Sequence, residues 1–155
     1  IAALGSDAVA ALSSTQIGVL TTGQLASLTS AAVAGLTSED LDGLDSADLA
    51  VMNSRAIAAL STQNIASLDS TQLSGLTTAQ VASLTTAQLA ALGSAQIDGL
   101  TSTQVAVLSS VQIQALSTDN IASLSTEQVA GIDGGTGLDQ RSAEFGRLVA
   151  GDPAR

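Results

Sequence analysis

The chain has 155 residues, 14 acidic side chains against 4 basic ones, a net charge of -10, and no Cys, His, Lys, Trp or Tyr. That composition offers no histidine or thiol for a nucleophilic triad or a transition-metal site, no lysine for a Schiff base, no disulfide from which to read a redox compartment, and a charge that repels nucleic acid and anionic membranes. Its single aromatic, a Phe, cannot fill an ordinary core, yet a hydrophobic content of 45% argues against disorder.

Ile1-Ala2-Ala3-Leu4 read as the end of a repeat whose beginning is missing, so the chain is expected to be a piece of something longer or a processed product. No basic region marks a signal peptide there. No apolar run approaches the roughly 20 residues of a membrane span, so membrane insertion is not expected.

From Leu4 an eight-residue period governs the chain as far as Ile132. Leu stands at 4, 12, 20, 28, 36 and 44 and at every eighth place from 60 to 124, with Met52 and Ile132 filling the two other slots. Five residues after each Leu comes a second aliphatic column, from Val9, Ile17 and Leu25 to Val129, without exception. The residue after Leu is always Ser, Thr, Asp, Asn or Gly, as in Thr21, Asp45, Asn53, Ser61 and Gly93, which is the set preferred at a helix N-cap. Three places later stands most often Gln, as in Gln16, Gln24, Gln80 and Gln128, and S/T-x-x-Q is a capping box. The second aliphatic and the following Leu then share one helical face, and the small residues before that Leu, such as Ala66-Ser67 and Ala130-Gly131, permit a turn.

Residues 1–132 are therefore expected to form an all-α solenoid of short capped helices, one per octad. A single continuous helix is excluded, since eight residues overshoot two turns by about 80° and the Leu stripe would spiral away from any partner. A β-solenoid is the alternative, but alternation along a strand puts the two aliphatic columns on opposite faces unless each octad contains a corner. One octad buries too little to fold alone, so its stability has to come from its neighbours.

Two further regularities bear on assembly. From Ser6 to Thr126 the second residue after Leu is always Ser or Thr, which predicts a hydroxyl bonded to an adjacent octad, or else an exposed ladder for ice, glycan or another chain. Residues 36–75 match 92–131 better than a shift of six octads allows, as in STQNIASL at 61–68 and STDNIASL at 117–124. That suggests a duplicated block of seven octads and hence equivalent units.

After Ile132 the pattern gives way to a Gly-rich turn, so 133–155 is expected to be a separate segment. A short helix at 139–149 carries Phe145, Leu148 and Val149 and reads either as a plug on the last octad or as a docking element for the open start of another copy. Ile1, Leu4, Phe145, Leu148 and Val149 are the candidate self-assembly residues.

Catalytic, cofactor-binding and metal residues are not assigned. Glu39, Asp40, Asp42, Asp45 and Asp48 form the densest acidic group, and Gly134-Gly135-Thr136-Gly137-Leu138-Asp139 fits the start of a glycine-rich Ca²⁺ nonapeptide. Most of those acids fall in cap or Gln slots and the nonapeptide is not repeated, so Ca²⁺ has only weak support and no cofactor is expected. The run LTTAQVASLTTAQLAALGSAQI resembles Thr/Ala/Gln-rich octapeptide tracts of very large secreted or surface proteins of bacteria, some of them similar to RTX-type adhesins. The resemblance spans residues 4–131. It implies a stalk, spacer or fibre outside the cell and carries over no functional residue. The string LTxxQV is also similar to the helix start of DNA-binding TAL effector repeats, but the remainder of that longer unit is absent and the charge has the wrong sign for nucleic acid. The expected function is a non-enzymatic structural protein at the cell surface or outside it, self-associating into a filament, stalk or layer, with binding of ice or polysaccharide as the alternative.

Overall fold

The computed structural model describes residues 5–134. Among them the only regular structure is sixteen short α-helices, one per octad, with no strand. Each helix packs on the third helix after it, so three octads, or 24 residues, complete one turn of a three-sided solenoid.

The first face stacks α1 (Ser6–Ala10), α4 (Ser30–Val33), α7 (Ser54–Ala59), α10 (Thr78–Ser83), α13 (Ser102–Ala106) and α16 (Thr126–Gly134). The second stacks α2 (Ser14–Gly18), α5 (Ser38–Asp42), α8 (Thr62–Ser67), α11 (Thr86–Ala90) and α14 (Ser110–Gln114). The third holds α3 (Thr22–Ala26), α6 (Ser46–Val51), α9 (Ser70–Gly75), α12 (Ser94–Asp98) and α15 (Thr118–Ser123). Of the C-terminal segment read from the sequence, only the start is described: α16 runs past Ile132 to Gly134.

Helices of five or six residues do not persist alone in water. Most are held at the start by a side-chain cap, which Gly5 and Gly93 do not supply, and along their length by burial. At Thr77 the hydroxyl accepts the Gln80 N–H at 3.2 Å while Gln80 Oε1 accepts the Thr77 N–H at 2.7 Å, so the capping box read from the sequence is present. The two aliphatic columns point inward: Leu25, Leu49, Ile57, Ile65, Leu73 and Leu89 are fully buried, and most of the Leu column is buried. Two aliphatics per octad and six per turn fill the space between three helices without aromatic bulk.

The corner differs from the sequence reading. No described glycine adopts a left-handed backbone. The chain instead turns through two extended residues, Leu76 at φ -62°, ψ 142° and Thr77 at φ -69°, ψ 156°, after the Leu76 N–H has closed on the Leu73 carbonyl at 3.2 Å. The small residues before Leu are needed for proximity between turns. A Cβ on Gly35 would lie 2.1 Å from the Ser6 carbonyl oxygen, and one on Gly75 would lie 2.3 Å from Ser46 Cβ.

The same contact bears on part of the invariant Ser/Thr row, because Ser46 and Ser70 each place their Cβ against a glycine 29 residues later and a longer side chain would hold the turns apart. The expected hydroxyl bonds reach the next turn rather than an adjacent octad, as in Ser30 Oγ to the Arg55 carbonyl at 3.2 Å and Ser94 Oγ to Asn120 Oδ1 at 3.4 Å. Seven octads is not a whole number of turns, so the duplicated blocks fall on different faces. Asn64 on the second face and Asn120 on the third nevertheless donate to carbonyls 28 residues back, at 2.8 and 2.9 Å. The octads are structurally equivalent.

Candidate functional site at the corners

From α5 onward each corner brings together an N-cap, the residue at the third helical position (N3), and the last carbonyls of a helix in the turn below. A short helix leaves its C-terminal carbonyls without intrahelical partners. Gln at N3 supplies them. Its Oε1 closes the capping box while its Nε2 reaches down to the helix four octads earlier. Gln72 Nε2 donates to Leu41 O at 2.9 Å and Leu44 O at 2.7 Å; Gln80 Nε2 donates to Leu49 O and Met52 O, both at 2.7 Å. Gln88, Gln96, Gln104, Gln112 and Gln128 repeat the pattern, each with a bond of 2.6–2.7 Å to the carbonyl 28 residues back. Gln80, Gln88, Gln104 and Gln128 are 1–2% exposed, so their amides lie between turns, out of water, while Gln96 is half-buried. Asn64 and Asn120, one methylene shorter, make the single bond to Leu36 O and Leu92 O.

The lower corners depart from this rule. Ala56 has no donor, but Asn53 at the N-cap substitutes: its Oδ1 accepts the Ala56 N–H at 2.9 Å, and its Nδ2 donates to Leu28 O at 2.8 Å, the carbonyl that a Gln at 56 would take. Asp40 and Asp48 close capping boxes with Thr37 and Asp45 but have no N–H to offer downward. The carbonyls 28 residues before them belong to Leu12 and Leu20, which are only half-buried. In the first turn, Gln16 and Gln24 hold their Oε1 atoms on the Ser13 and Thr21 N–H groups at 2.9 and 2.8 Å, and both residues are exposed. No described helix lies beneath them.

Of the acidic group, Asp40, Asp45 and Asp48 are thus consumed in caps. Glu39 and Asp42 line a shallow groove with Ser14, Thr15, Gly18, Val19 and Gly43. A second groove, at Ser27–Ser30 and Asn53–Arg55, is bordered by hydroxyls and Arg55. Among the described residues no three acidic side chains converge as a metal-binding group. None of the described helices is long and apolar enough to cross a membrane. The sequence-predicted assembly residues Ile1, Leu4, Phe145, Leu148 and Val149, the 139–149 helix and most of the glycine-rich stretch lie outside the described residues.

Sequence reasoning found the capping role of Gln and missed the bond between turns. A signal was available. A capping box accepts Glu as readily as Gln, yet no N3 position from Ala8 to Gln128 holds Glu. From Asn64 onward every N3 residue is Asn or Gln, and a slot that there holds only amides is being asked to donate.

A protein-family model described as the ALTTAQ repeat matches residues 1–30, 41–78, 50–86 and 76–110. The string LTTAQ stands at 76–80 and again at 84–88. No curated protein and no solved structure matches the chain.

Proposed function

The chain belongs to the ALTTAQ repeat family, and on that premise we propose that it is a non-enzymatic structural rod that self-associates into an extracellular or cell-surface filament, stalk or layer. The observation that carries this reading is the interface between turns. It is built from the same aliphatic pair in every octad and, from Asn64 onward, from one side-chain amide at each corner, so it can be extended by adding units without any new chemistry. Neither groove contains a His, Cys or Lys, and both are lined largely by hydroxyls and main chain, which supports a role without catalysis. An acidic chain free of Lys and Cys suits a protein assembled outside the cell. Negative-stain microscopy across salt and Ca²⁺ concentrations is expected to show fibres or bundled rods. Uniform short particles under all conditions overturn self-association, and retention of the protein inside fractionated producing cells overturns the location.

A second reading is favoured by one row. On the second face the N-cap and the residue after it are hydroxyl-bearing in every turn: Ser13-Ser14, Thr37-Ser38, Ser61-Thr62, Thr85-Thr86 and Ser109-Ser110. This regular edge suits ice or polysaccharide. Ice-recrystallisation and glycan-array measurements test it, and silence in both removes it.

A further inference from the structure

We propose that these rods associate side by side through Arg55, whose guanidinium enters the groove between α2 and α5 of a second copy and binds the carboxylates of Glu39 and Asp42. The inference rests on the self-association reading and adds the surface and the groups that meet across it.

Arg55 departs from the pattern of its octad. It is the only basic residue between 5 and 134, and it stands at the second position of α7 (N2), where the positive end of the helix dipole disfavours a cation. Elsewhere N2 holds a neutral residue or an acid, as in Asp7, Glu39, Asp119 and Glu127. The Arg55 side chain is exposed, and no carboxylate among the described residues pairs with it. The polar side chains around it already serve the rod itself. Ser27 Oγ donates to the Gln24 carbonyl at 2.7 Å, Ser30 Oγ donates to the Arg55 carbonyl at 3.2 Å, and Asn53 spends its amide on Leu28 and Ala56. A sugar would have to compete for those groups, whereas a carboxylate needs only the guanidinium fork.

The groove between α2 and α5 has the complementary chemistry. Glu39 and Asp42 lie three apart on α5, so both carboxylates stand on one helical face. Both are exposed, and the capping box of the helix uses Asp40 instead. Val19 beside them is 75% exposed and offers its methyl groups to the aliphatic stem of an arginine. Gly18 and Gly43 line the same groove without side chains to fill it.

The two sites lie on opposite sides of the rod. Arg55 stands at the corner where the third face passes into the first, and in a three-sided solenoid that corner points away from the second face, which carries Glu39 and Asp42. A contact from one side of a rod to the opposite side of the next is heterologous and does not close on itself. Repeated from copy to copy, it lays the rods into a layer one rod thick.

The test is a charge swap in the full chain, followed by sedimentation velocity and negative-stain microscopy. R55E, E39R and E39R/R55E all alter exposed N2 positions, so their helical circular dichroism should match the parent. Q63E/A79E makes the same change in net charge as R55E at exposed N2 positions outside both grooves. Lateral association is expected to weaken roughly tenfold or more in R55E and in E39R, to return in E39R/R55E, and to persist in Q63E/A79E. Undiminished lateral association in R55E, or none regained in E39R/R55E, overturns the contact. Fibres that grow only end to end overturn it while leaving self-association intact, and a parent chain that stays monomeric at high concentration overturns both. Polygalacturonate that binds the parent and not R55E, with rod association indifferent to R55E, assigns Arg55 to an acidic glycan and overturns the contact as well.

Discussion

The lower corner at Asp40 and the upper corner at Asn64 use the same helix start, a hydroxyl-bearing N-cap and an inward aliphatic pair, and differ at N3 in one side-chain atom. At Asn64 the second side-chain atom is a nitrogen that donates to Leu36 O at 2.8 Å. At Asp40 it is an oxygen, and the equivalent carbonyl, that of Leu12, receives nothing from it. The comparison separates two jobs that a single Gln performs. Starting a helix needs an acceptor, which Asp, Asn, Gln and Glu all carry. Joining one turn to the next needs a donor, which only the amides carry. Asp is tolerated at the lower corners because Leu12 and Leu20 are half-buried and water can satisfy their carbonyls; at the upper corners Leu44, Met52, Leu60 and Leu68 are buried. An unsatisfied carbonyl there would cost the desolvation of a polar group.

The comparison is most directly broken by giving an upper corner the chemistry of a lower one. Gln80→Glu keeps the capping box and sets a carboxylate against the buried carbonyls of Leu49 and Met52. The charge gains about 0.3–1 kcal/mol from the helix N-terminus, but the lost bonds and a buried charge outweigh it. A net loss of about 3 kcal/mol is expected, read as a lower thermal midpoint together with faster amide exchange at α6 and α10. If Q80E melts with the parent, the donor is dispensable and the distinction between corners collapses.

A smaller effect tests the spacing of the turns. Gly75→Ala forces a methyl into Ser46 Cβ across a corner that the Gln72 and Gln104 amides hold from both sides. Overpacking of this kind costs about 1–3 kcal/mol. Gly23→Ala, where nothing lies within 4 Å of the new Cβ, is expected to gain up to about 1 kcal/mol from helix propensity. Equal shifts in the two melting curves would show that glycine content and not close approach limits the stacking.

Smaller again is the substitute bond. Asn53→Asp leaves the acceptor for the Ala56 N–H and removes the donor to Leu28 O. It should destabilise by about 1–2 kcal/mol, with exchange quickening at α3 and α7 and not at α13 and α16.

Much of this architecture was legible in the sequence because each octad had to solve the same local problem sixteen times. Caps, inward columns and the rejection of one long helix follow from residue type and the 5+3 spacing alone. What was not legible was the number of octads per turn. It depends on the angle at each corner, which Leu76 and Thr77 set with backbone dihedrals that most residues can adopt, so no residue type signals it. The second bond of Gln was hidden for a different reason. Its partners are main-chain carbonyls, present at every position and therefore silent in any pattern of side chains. Only the unbroken run of Asn and Gln at N3 from Asn64 onward betrayed it.

The finest test changes the one atom that distinguishes the two regions. Asp40→Asn converts a lower corner to the chemistry of Asn64, with Thr37 and the backbone unchanged. The new Nδ2 is expected to donate to the Leu12 carbonyl, as Asn64 does to Leu36 and Asn120 to Leu92. The gain is limited, because Leu12 is half-buried and exchanges a bond to water for one to protein; about 0.5–1.5 kcal/mol is the usual net value. Against it stands the loss of the buried Asp40 carboxylate from the first turn of α5, whose interaction with the helix N-terminus is worth about 0.3–1 kcal/mol and up to about 2 in a partly buried setting. The two nearly cancel in a global melt, so local exchange is the discriminating measurement. Amides at the end of α1 should gain protection, while those of α9 to α12, whose corners already carry donors, should not change. If α1 is unaffected, the aspartate does not set the protection of this corner, and the one-atom account of the difference fails.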